Sequence, residues 1–159
     1  MKRHLLLLTF LTFTLTSFFG FAQTYNMNTS TVNTCSGNFY DPGGVGGNYG
    51  NNNLNTMTFC ATGGDEIIID FTLFDVESGF DDLVIYDGPN TGSPIIGTYT
   101  GTNSPGTVTS TSGCLTFVWD SDGSVTDFGW AANISCFTPA PPTCTDGIMN
   151  GSETGIDCG

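Results

Sequence analysis

The stretch FTLFDVESGFDDLVIYDG, residues 71–88, places Asp75, Glu77, Asp81 and Asp82 within eight residues, between two apolar runs. Like charges repel by on the order of 0.8 kcal/mol per pair at roughly 5 Å in water, and by more when partly buried. Asp120, Asp122 and Asp127 form a second acidic group further along the chain. Carboxylates gathered in this way suit three kinds of chemistry. They can hold a hard divalent cation through oxygen ligands, calcium being the leading candidate. They can act as an acid–base pair in glycoside hydrolysis. They can also form a solvated acidic loop end that keeps an exported protein soluble. Hydrolysis is the weakest reading. No pocket signature accompanies the acids, and a loop between two short strands holds two carboxylates poorly at fixed spacing.

The rest of the composition narrows the choice. Lys2 and Arg3 are the only basic residues and His4 is the only histidine, whereas all fifteen acidic residues follow Gln23. Beyond Gln23 no carboxylate can find a salt bridge within the chain. Each must be solvated, accept hydrogen bonds or hold an external cation. Nucleic-acid binding lacks the cations that neutralise phosphates, and anionic membranes repel such a chain. Triads with a His or Lys base and His-ligated zinc sites are equally absent.

Residues 1–22 read as a secretory signal peptide. A charged start precedes the apolar run Leu5–Phe19, and Gly20-Phe21-Ala22 supplies small residues for cleavage. No membrane span is expected once this segment is removed. An exported, extracellular or cell-surface location follows. In that setting an even set of cysteines points to disulfides; here they are Cys35, Cys60, Cys114, Cys136, Cys144 and Cys158.

The elements that must position the acids are strands. Short runs rich in Ile, Val, Phe, Thr and Tyr alternate with turn clusters such as Asp41-Pro42-Gly43-Gly44 and Asp122-Gly123. Strands are expected at 55–60, 66–74, 82–86, 95–99, 106–110, 114–119 and 129–136. Many short strands at close spacing favour an all-β, antiparallel β-sandwich. In 66–74, Ile67, Ile69, Phe71 and Leu73 share one face, and Ile68 and Phe74 break the alternation. Trp119 and Trp130 read as core packing, with an exposed sugar-stacking platform as the alternative.

A hairpin of 114–119 and 129–136, centred on Val125, sets Cys114 opposite Cys136 and predicts a bridge between them. Cys35 and Cys60 bracket the Gly/Asn-rich stretch 41–53, and a Cys35–Cys60 bridge closing it would contribute on the order of 3 kcal/mol. After the sandwich, 23–137, comes a Pro-rich linker, 138–143, and then a Cys-bounded tail, 144–159. In the tail, Asp146, Asn150, Glu153 and Asp157 recur at a spacing that suits a second calcium or a solvated linker. The tail reads as the start of a further module.

The ordered pieces SGNFYDPGGVGGNYGNN, MTFC, FTLFDVE…FDDLVIYDG and GTYTG…P…STSGCLTFVWDSDGSVTDFGW resemble a CUB domain over roughly 35–137. The tail is similar to a short C.DGI.NG.ET..DCG segment found between modules of secreted proteins from Bacteroidetes-type bacteria. The CUB resemblance implies a jelly-roll-type sandwich of two antiparallel sheets, used for extracellular recognition without catalysis, with one calcium at one end. Carried over residue by residue, it makes Glu77, Asp81 and Asp122 acidic ligands and gives Ser124 a backbone-carbonyl contribution. Tyr49 becomes the loop tyrosine that hydrogen-bonds an acidic ligand. The chain departs from the family pattern between Glu77 and Asp81. Only Ser78, Gly79 and Phe80 intervene there, and the usual loop cysteine is missing.

The function expected is a non-catalytic adhesion or recognition module that presents an acidic loop end to Lys or Arg of an extracellular protein. The alternatives are an accessory domain at the front of a longer secreted enzyme such as a peptidase, and a carbohydrate-binding sandwich with a glycan as partner.

Overall fold

The computed structural model describes residues 23–63 and 65–138. The expected signal peptide, most of the linker, and the tail with Asp146, Asn150, Glu153 and Asp157 lie outside the described residues. Among the described residues ten strands form: β1 Thr24–Asn26, β2 Ser30–Asn33, β3 Ser36–Tyr40, β4 Leu54–Cys60, β5 Glu66–Asp75, β6 Asp82–Asp87, β7 Ile95–Tyr99, β8 Thr107–Thr109, β9 Cys114–Asp120 and β10 Gly129–Phe137. They make two five-stranded sheets, ordered β1-β3-β10-β5-β8 and β2-β4-β9-β6-β7. The β1–β3 and β2–β4 pairs are parallel, and the remaining pairs are antiparallel.

The apolar faces of the two sheets meet in an aromatic core. Phe39 of β3 packs against Phe59 of β4 at 4.9 Å and Phe117 of β9 at 5.2 Å, ring centroid to centroid. Trp119 of β9 meets Trp130 of β10 edge-on at 5.0 Å. Such offset geometries add roughly 0.5–1.5 kcal/mol per pair beyond area burial. Both indoles are enclosed, with exposures of 0% and 1%. They are core residues and offer no sugar-stacking platform.

Seven strands lie where the alternating pattern placed them. β1, β2 and β3 went unread because they are short and rich in Asn, Ser and Thr. The expected 114–119/129–136 hairpin does not form. β9 pairs with β4 and β6 in one sheet, whereas β10 pairs with β3 and β5 in the other.

The disulfides change accordingly. The predicted Cys35–Cys60 and Cys114–Cys136 bridges are replaced by Cys35–Cys136 and Cys60–Cys114, with Cα separations of 5.0 and 4.1 Å. Cys60 faces Cys114 directly in the β4–β9 register. Cys35 precedes Ser36, which pairs with Ser135, the neighbour of Cys136. Opposed cysteines do bridge, but on strand pairs other than those expected.

A bulge explains the broken alternation in β5. Ala131 pairs with Leu73 and Ala132 with Phe71, so Thr72 is skipped. The extra residue reverses the facing beyond it. Leu73, expected inside, is 47% exposed, and Phe74 is buried at 7%.

Candidate metal centre

Three loops meet at one end of the sandwich. The first follows β5, and its Val76 is buried at 2% with its amide on the carbonyl of Gly101 at 3.1 Å. The chain then turns back at once. The Asp81 amide donates to the Glu77 carbonyl at 3.3 Å, with Gly79 at φ 81°. Thr100 fixes this turn from outside, donating its hydroxyl to the Glu77 carbonyl at 3.0 Å and accepting the Gly79 amide at 2.7 Å. The short Ser78-Gly79-Phe80 connection therefore still folds the Glu77 and Asp81 side chains toward one another.

The second loop follows β9. The Asp122 amide donates to Asp81 Oδ1 at 2.8 Å, and the Ser124 amide donates to Asp122 Oδ1 at 2.8 Å. The third is the long loop 41–53. Its Asn52 amide donates to the Asp122 carbonyl at 2.7 Å, and its Tyr49 phenol donates to Asp81 Oδ2 at 2.6 Å. The same phenol accepts the Glu77 amide at 2.9 Å.

Glu77, Asp81 and Asp122 each bring a carboxylate oxygen within 4.8 Å of the other two. Asp81 is fully buried, and Glu77 and Asp122 are partly exposed. Glu77 Oε2 is shielded from solvent and has no hydrogen-bond partner among the described residues. Burial raises the Glu77 carboxyl above its ordinary range, and the charges of Asp122, Asp81 and Asp127 raise it further. Burial also raises the Tyr49 phenol, as does its bond to Asp81, so it stays a donor. An unpartnered buried oxygen among like charges is unfavourable without a cation. The donor set is all oxygen and suits a hard divalent ion.

Ser124 lies in the second loop with its amide turned to Asp122. Asp127, outside the expected ligand set, acts on Glu77 through its charge. Asp82 and Asp120 face each other across β6 and β9 as Cα partners, beside the cluster rather than in it. Thr100 gave no sign in the sequence, because its role depends on partners 21 and 23 residues away.

Residues 28–134 match the sequence model of the CUB domain. This chain belongs to the CUB domain family. Curated relatives include rat cubilin, 34% identical over 130 residues, with 78% of this chain and 4% of cubilin covered. Mouse neuropilin-2 is 31% identical over 140 residues, with 77% of this chain and 15% of that protein covered. This CUB chain thus spans only a small part of the relatives' length.

Among solved structures, the extracellular region of zebrafish Gpr126/Adgrg6 superposes with a TM-score of 0.61 at 21% identity, covering 70% of this chain and 15% of that one. A MASP-1 CUB2 domain bound to Ca2+ superposes with a TM-score of 0.58 at 21% identity, covering 68% and 98%. These likenesses carry the fold, a two-sheet β-sandwich. CUB domains are non-catalytic binding modules of extracellular proteins. Among the described residues, no helix of this CUB chain is long and apolar enough to cross a membrane.

Proposed function

We propose that this CUB domain is an exported recognition module whose loop end holds one calcium ion and meets a basic side chain of a protein partner. The observation that carries the reading is the convergence of Glu77, Asp81 and Asp122 within 4.8 Å, with Glu77 Oε2 buried and unpaired among the described residues. Glu77, Asp81 and Asp122 supply the ligand oxygens, and the Ser124 carbonyl is an additional ligand. Tyr49 holds Asp81 in place. The ion supplies positive charge that offsets the mutual repulsion of the acids. That a solved CUB relative is bound to Ca2+ supports the choice of metal.

Asp122 is partly exposed, and Asp127, also partly exposed, acts on the same cluster. The end therefore keeps acceptor oxygens free for a Lys or Arg, in a charge-assisted hydrogen bond. The described residues contain no cation to occupy that place, so the basic group must come from a partner.

The test is thermal and denaturant unfolding of the full chain in calcium and in chelator, with calorimetric titration of the ion. Calcium at a hundred times its dissociation constant should add about 2.7 kcal/mol of stability. Identical unfolding curves, with no heat of binding, would remove the calcium part of the reading.

A further inference from the structure

We infer that Phe80, Val125 and Phe128 form an apolar rim around the acidic cluster, and that it selects a partner segment in which one Lys or Arg is flanked by apolar side chains. The inference builds on the proposed function and adds what the partner must carry beside its charge.

The three side chains are 67%, 56% and 59% exposed. Each sits on a loop that carries an acid. Phe80 precedes Asp81, Val125 follows Ser124, and Phe128 follows Asp127, whose charge bears on Glu77. Their neighbours are Gly, Ser, Thr and Asp, the usual residues of solvated turns. Three large apolar groups there gain little from folding, and exposed apolar groups gathered round a polar site mark interaction surfaces. Val125 is unusual in a second way. Its φ is 55°, in the left-handed region that β-branched residues avoid. Strain of this kind persists where the surroundings hold it, and it clusters at ligand clamps.

Charge complementarity chooses the occupant. A second copy of the described domain brings only acids, because no Lys, Arg or His follows His4. A polybasic strand would satisfy the acids but leave the rim wet. A lipid surface would cover the rim, yet an anionic one is repelled by the surrounding carboxylates. A basic residue set among apolar neighbours satisfies both parts at once.

The experiment uses the full chain and two short synthetic peptides in fluorescence anisotropy, with calcium and with chelator. One peptide has a single lysine between leucine and phenylalanine residues. The other has the same lysine between serines. The apolar-flanked peptide should bind about tenfold more tightly, the equivalent of partly burying one large side chain. Phe80→Ser and Phe128→Ser should each shrink that ratio toward one, with calcium titration and melting temperature unchanged because both rings are exposed. Equal binding of the two peptides overturns the inference. So does a ratio untouched by both variants, or Phe80-dependent binding to phosphatidylcholine vesicles without peptide preference. The ratio is read in both buffers, so a chain that takes up no calcium refutes the metal reading and still decides the rim.

Discussion

Tyr49 donates its phenolic proton to Asp81 across 2.6 Å, and neither residue is more than 2% exposed. The same oxygen accepts the amide of Glu77 at 2.9 Å. One hydroxyl thus ties the long loop to both ends of the turn that carries Glu77 and Asp81. Tyr49→Phe strands a carboxylate oxygen and a peptide N–H, each worth about 1–3 kcal/mol when left unpaired. The expected loss is about 2–4 kcal/mol in urea unfolding. Calcium affinity should also fall by about 10–100-fold, as when ligand-orienting partners are removed elsewhere. A variant with wild-type stability and affinity would show that Tyr49 is only packing.

Asp41 predicts a pH dependence separate from the metal centre. It is 1% exposed and accepts the amides of Gly43 at 2.6 Å and Trp130 at 3.3 Å. Burial pushes its carboxyl from 3.8 up to about 6, against the pull of those backbone bonds. The folded chain thus holds this proton more tightly than the unfolded chain does. Its contribution to stability is greatest below about pH 4, falls as pH rises toward 6, and is level above that. Asp41→Asn removes the titration. The stability difference between wild type and variant should change between about pH 4 and 6, measured by urea unfolding at each pH. A constant difference across that window would contradict the burial argument.

The bulge at Thr72 sets adjacent residues on opposite faces. Phe74→Ala should cost about 3–5 kcal/mol through lost burial and a cavity. Leu73→Ala, nearly half exposed, should stay within about 0.5 kcal/mol. Comparable losses at both positions would mean that the strand runs without the bulge.

The disulfide pairing can be read directly. Trypsin is of no use past Arg3, but cleavage at acidic residues separates the four cysteines of the sandwich, because Asp41, Asp65 and Asp120 lie between them. Mass spectrometry should find Cys35 joined to Cys136 and Cys60 joined to Cys114. The bridges span sequence separations of 101 and 54 residues. In the chain-entropy account each contributes about 4–5 kcal/mol. Replacing both members of either pair with Ala should lower the unfolding free energy by an amount of that order.

These cases show where the sequence was legible and where it was not. Alternation is a local signal, so the strands from β4 onward could be read from it. It does not say which sheet a strand joins. The eight residues between Asp120 and Gly129 permit either a hairpin or a crossing between sheets. The hydrophobic pattern of β9 and β10 is the same in both, since each buries one face. The disulfide error followed from that ambiguity. The bulge left a trace, the out-of-step Phe74, but that residue, like Ile68, cannot say which way the register moves. At the metal centre, the crowding of Glu77 and Asp81 is visible in the chain itself. Their meeting with Asp122 is a tertiary event, and residue resemblance rather than spacing pointed to it. Thr100 and Asp127 act only through folded neighbours.

The edge-on stack of Tyr49 against Trp119, centroids 4.8 Å apart, runs on to Trp130. Both indole N–H groups are buried and unpaired among the described residues, so the tryptophans should emit as indoles in an apolar setting do. Tyr49 connects that fluorophore pair to the acids it holds. Any rearrangement of the loop end therefore reaches the indoles within one aromatic contact, and the protein carries its own optical reporter of events at that end without an added dye.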